Sequence, residues 1–148
     1  MPKFRFRLEA SLKLAERVLD ESRRQLAVEL RRRQEIAGMV EERQTRWETA
    51  LDGHREASRQ RPEELGMWQT YTVNCLQLLR QSQEDLRRQE QKTEQARSVV
   101  VEANRQAEKF RRLKQKLALL FRQAELKREQ ALLDEAGQIL YWRRRNSV

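Results

Sequence analysis

Residue types that could do covalent or metal chemistry are scarce in this sequence. His54 is the sole histidine and Cys75 the sole cysteine, so a His pair for a metal, a Cys-based metal cluster and a Ser–His–acid triad cannot be assembled. The carboxylate pairs Glu41-Glu42 and Glu63-Glu64 are sequence neighbours, which on a helix point about 100° apart, and no apolar pocket is evident to shift either titration. No glycine-rich phosphate loop is present. The chain therefore reads as non-enzymatic, with no cofactor and no metal. Cys75 falls on an apolar helical line between Thr72 and Leu79, where a thiol serves as a small hydrophobe.

What remains are groups suited to binding. Trp68 and Tyr71 follow Pro62 closely and Trp47 precedes it, so a hairpin folded at that proline brings three aromatics together near its tip. Two roles stand open for them: a plug that closes the hairpin end, or a patch of hot-spot residues for a partner. Trp68 falls on the apolar seam and suits packing. Tyr71 lies off it and suits binding, as does Trp47. Lys3, Arg5 and Arg7 at one chain end and Arg143–Arg145 at the other form basic clusters. The latter serves first as a helix end favoured by the dipole, and second as a phosphate contact.

The element that must position these groups is a turn at Ser58–Pro62. Pro62 has no backbone N–H and a φ fixed near the helical value, so it stops an arriving helix yet fits the first turn of the next. Glu63 and Glu64 then lie at the positive end of that new helix. Composition agrees: 38% hydrophobic and 37% charged residues, with only four Gly and two Pro, suit long helices rather than a compact core. The expected fold is all-α, an elongated antiparallel two-helix coiled-coil hairpin with a longer second helix. As a single domain over 1–148, its first arm runs 8–58, its tip 58–62 and its second arm 62–142.

The apolar seams set which faces pair. Leu8, Leu12, Ala15, Leu19, Ser22 and Leu26 keep the alternating spacing of four and three that holds one stripe against a partner helix. The line then loosens through Leu30, Arg33, Ile36 or Ala37, Val40, Trp47 and Leu51, with weak packing expected near Arg31–Arg33 and fraying near Gly53. The second seam runs from Leu65 through Trp68, Thr72, Cys75, Leu79, Ser82, Leu86, Gln89, Thr93, Ala96, Val100, Ala103 and Ala107 to Phe110, and continues at Leu117, Phe121 and Ala124. The opening Phe4-Arg5-Phe6-Arg7-Leu8 alternates with period two and suits an extended segment. A fold about residue 60 leaves 113–142 without an intramolecular partner over most of its length. Its apolar residues are then free for another molecule.

A formal charge of +9 and a pI near 10.4 predict acidic partners. Glu9 with Lys13, Glu29 with Arg33 and Glu42 with Arg46 have the favourable (i, i+4) order of a solvated helix face. No apolar run is long enough to cross a bilayer, and a single cysteine suits a reducing compartment.

The opening Phe4-Arg5-Phe6-Arg7-Leu8, an uninterrupted helical arm, and Trp68-Gln69-Thr70-Tyr71 just past the midpoint turn together resemble the FliJ family of bacterial flagellar export proteins. That resemblance covers essentially the whole chain. It implies a cytoplasmic coiled coil, peripheral at the cytoplasmic face of the inner membrane at the flagellar base, similar to the rotor shaft of rotary ATP synthases. Its implied partners are the hexameric export ATPase, the cytoplasmic part of the membrane export gate and the export chaperones, with no nucleic acid and no membrane insertion. By the same resemblance, the terminal ends of both helices enter the ATPase ring and the tip faces the gate. Val40, Trp47, Trp68 and Tyr71 are then candidates for the gate, although Asn74 departs from the bulky apolar residue expected one turn after Tyr71. Arg5, Arg7, Leu117, Leu120, Phe121 and Arg122 are candidates for the ring. Two other functions fit the composition: a general coiled-coil adaptor that dimerises through its second arm, and a basic helical protein that binds nucleic acid.

Overall fold

The computed structural model describes residues 2–147, and no strand occurs among them. It is an all-α hairpin: helix α1 spans Glu9–Gln60, a single 3₁₀ turn covers Pro62–Glu64, and the longer helix α2 spans Leu65–Asn146. The turn is made as the proline demands. Arg61 leaves the helical region at φ −138° and ψ 67°, Pro62 opens the 3₁₀ turn, and the Glu64 N–H donates to Arg61 O at 3.0 Å. An Arg61–Glu64 ion pair at 3.6 Å spans the same turn.

Contacts divide the chain into two compact units: unit 1 takes the chain up to Arg17 and from Asn104 onward, and unit 2 is Val18–Ala103. Within unit 2 the helices run antiparallel. Thr72 reaches Ala50 O at 3.3 Å, the Arg43 guanidinium donates to Leu78 O at 3.0 Å, and Gln89 donates to Glu29 O at 3.1 Å. The buried line on α1 keeps strict heptad spacing through Leu19, Ser22, Leu26 and on to Glu29. It passes through Glu29 where the apolar pattern had pointed to Leu30, which is 38% exposed, and later through Ala50 instead of Leu51. Geometry wins over hydrophobicity because a seven-residue repeat fixes which side faces the partner helix.

Polar residues on this seam satisfy themselves locally. Ser22, Ser82 and Thr93 each donate a hydroxyl to a carbonyl three or four residues back. Glu29 is different. Its buried carboxylate accepts from Gln25 at 3.1 Å, from Arg32 at 3.4 Å and across the helix pair from Gln89, so the expected Glu29–Arg33 surface pair is not what forms. Arg33 pairs instead with Glu90 at 3.8 Å.

Gly53 does not fray the helix, which continues to Gln60. Its missing side chain makes room for Trp68: a Cβ there would lie 2.5 Å from the indole Cη2 and 2.8 Å from Cε3. The glycine is a socket.

Unit 1 is antiparallel in its own right, with Lys114 to Glu9 at 2.8 Å and Arg111 to Glu16 at 3.3 Å. Ahead of α1, residues 2–6 have no regular structure and act as a strap. The period-two alternation has a direct meaning here: Phe6 is buried, Phe4 and Leu8 are half-buried, and Lys3, Arg5 and Arg7 face out. The Phe4 ring packs on Phe121 with centroids 5.7 Å apart. The uncovered length of α2 therefore begins later than residue 113, although most of 113–142 is exposed as expected. An extended strap advances about 3.3 Å per residue against 1.5 Å for a helix, so a few residues cover α2 as far as Phe121. From Leu126 to Ser147 every residue is exposed.

Candidate partner-binding surfaces

The tip surface belongs to unit 2. Trp68 lies half-buried against Gly53, and its ring meets Tyr71 edge-on with centroids 6.0 Å apart. Thr72 holds the same turn by donating to Trp68 O at 2.7 Å. Tyr71 is 47% exposed. The aromatic pair does not include Trp47, which is half-buried on the α1 seam six residues before Gly53, about 9 Å along the helix. Val40 is half-buried two turns earlier still. The four candidates for the tip thus separate: Trp68 and Tyr71 form one feature, while Val40 and Trp47 line the helix pair.

Two neighbours escaped the sequence reading. Met67 and Leu78 are well exposed, and with Tyr71 they follow the i, i+4, i+11 spacing of one outward helical stripe. That spacing was visible in the sequence, but it competes there with the stronger inward seam.

The other surface belongs to unit 1. Leu117 lies at the edge of the covered region, Leu120 is 51% exposed, and Phe121 is partly covered by Phe4 rather than free. Arg5, Arg7 and Arg122 are exposed. Beyond them Leu119, Leu126, Leu133 and Leu140 form a seven-residue leucine repeat, exposed throughout and separate from the seam. Charge is divided as sharply as exposure. Unit 1 carries 17 Lys and Arg against 7 Asp and Glu, a formal +10, whereas unit 2 carries 15 against 16, a formal −1.

The flagellar FliJ protein family matches this sequence over residues 4–146. The chain belongs to that family. That family is a non-catalytic one of flagellar export, and the chain is accordingly related to flagellar export. No curated protein and no solved structure matches it. The FliJ match begins at Phe4, the first aromatic of the strap, and ends at Asn146, the last residue of α2. The family pattern thus includes the strap and the exposed end of α2 along with the paired helices. No helix among the described residues is long and apolar enough to cross a membrane.

Proposed function

We propose that this FliJ-family chain acts as one hairpin domain, a shaft that binds and stimulates the hexameric flagellar export ATPase and links it to the export gate and chaperones. It works at the cytoplasmic face of the inner membrane. Unit 1 meets the ATPase ring and the Trp68–Tyr71 tip meets the gate. The observation that carries this assignment is the end of α2, where Ile139, Leu140, Tyr141 and Trp142 are all 54–63% exposed. Successive helical residues are about 100° apart, so these four encircle the helix. A groove on a partner covers one side of such a collar, whereas a ring covers all of it.

The test is the steady-state hydrolysis rate of the purified ATPase with added chain. Deleting residues 1–12 removes the strap and Arg5 and Arg7, and deleting residues 126–148 removes the exposed end. Each truncation is expected to reduce stimulation while the protein stays helical. Full stimulation by both would rule out unit 1 as the ring-binding part.

A further inference from the structure

We infer that unit 1 fits a protein socket whose wall changes character along the axis of α2, with an apolar girdle set between two acidic levels. The inference rests on the assignment of unit 1 to the ATPase ring and adds the chemistry that the ring must present. The girdle faces Ile139, Leu140, Tyr141 and Trp142. Immediately beyond it Arg143, Arg144 and Arg145 are all exposed in the last turn of α2, about 5 Å further along the axis. The second basic level is the strap. Phe4 is fixed on Phe121, which places outward-facing Lys3, Arg5 and Arg7 roughly 30 Å before the girdle at 1.5 Å per helical residue.

The strap level is extended by exposed Arg122, Lys127 and Arg128, and beyond Arg128 the charge reverses. From Glu129 to Trp142 the helix carries exposed Glu129, Asp134 and Glu135 and no Lys or Arg. A phosphate backbone or an anionic lipid surface is negative along its whole length and would repel this stretch. A protein wall can place carboxylates opposite Arg143–Arg145 and Lys3–Arg7 and withhold them between. The all-round apolar collar points the same way, because a flat anionic surface leaves part of it in water.

The experiment uses the full chain carrying Trp47→Phe and Trp68→Phe, so that Trp142 is the sole indole, together with the purified ATPase ring. Binding is expected to shift Trp142 emission to the blue and to shield it from a soluble quencher. Replacing Arg143, Arg144 and Arg145 by Gln, or Lys3, Arg5 and Arg7 by Gln, is expected to weaken binding about ten-fold at ~50 mM salt, with the gap closing at ~500 mM as the charges are screened. If the ring binds but both triple variants match the parent at low salt, or Trp142 stays open to quencher, the layered socket is wrong while the ring assignment stands. If the parent chain does not bind the ring at all, both fall. Equal shielding of Trp142 by DNA or by anionic vesicles also overturns the socket, since neither can supply the alternation.

Discussion

Gly53 shows how a residue's intrinsic preference is overruled by what it touches. Glycine costs a helix about 1 kcal/mol relative to alanine, so Gly53→Ala would stabilise an isolated α1. Here the added Cβ meets the Trp68 indole, a rigid ring that must be displaced as a whole. Overpacking of this kind costs typically 1–3 kcal/mol, so the substitution is expected to lower the melting temperature on balance. Pairing it with Trp68→Ala should restore the benefit of alanine. A double-mutant cycle by thermal melting checks this, and additive effects would show that glycine and indole do not meet. Glu29 and Gln89 make the complementary case. Truncating Gln89 to Ala removes a buried partner from the Glu29 carboxylate and should cost roughly 1–3 kcal/mol. Replacing both by Leu removes the polar layer as a unit, and the pair is expected to be near neutral or stabilising. Urea titration of the two variants beside the parent decides between a network and two independent contacts.

At the scale of elements, the α2 seam was legible from Leu65 to Phe110 because apolar or small residues occupy nearly all its positions. The α1 seam was legible as far as Leu26 and again at Arg33, Ile36, Val40 and Trp47, but was misplaced by one residue at Leu30 and Leu51. At Glu29 a carboxylate holds a seam position, and the eye moves to Leu30 one residue away. Only the cross-helix bond from Gln89 shows that the heptad never slipped. The strap was legible as an extended segment, but its reach was not, since its partner had been counted at helical rise. Phe6 is its buried anchor, and the backbone tie to α1 is the Glu9 N–H to Phe6 O bond at 3.2 Å. A segment held by so few contacts opens on its own, without global unfolding. Phe6→Ala is therefore expected to speed tryptic cleavage at Arg5 and Arg7 several-fold while the main thermal transition stays within about 2 °C. A matching drop in the main transition would show the strap to be integral to the helical core.

At the scale of the whole molecule, what separates the two surfaces is charge as well as distance in sequence. The total of +9 was read as a general attraction to acidic partners, yet unit 1 carries all of it and unit 2 is nearly neutral. Composition could not show this division, because unit 1 is assembled from both ends of the chain. On the proposed function, two binding modes with different responses to salt follow. Contact through unit 1 is steered by charge and weakens as salt screens it, whereas contact through Tyr71 and its exposed neighbours Met67 and Leu78 depends on apolar burial and changes little. Tyr71→Ala is expected to weaken binding to the purified cytoplasmic part of the export gate by about 1–2 kcal/mol, the loss of one hot-spot side chain. It should leave helicity and stimulation of the ATPase intact. Deleting residues 126–148 should do the reverse, sparing gate binding and lowering stimulation. Each variant is to be measured in both assays at low and high salt. If Tyr71→Ala lowers ATPase stimulation, or the deletion abolishes gate binding, the two surfaces do not divide the labour in this way and the tip and the cationic end have been assigned to the wrong partners.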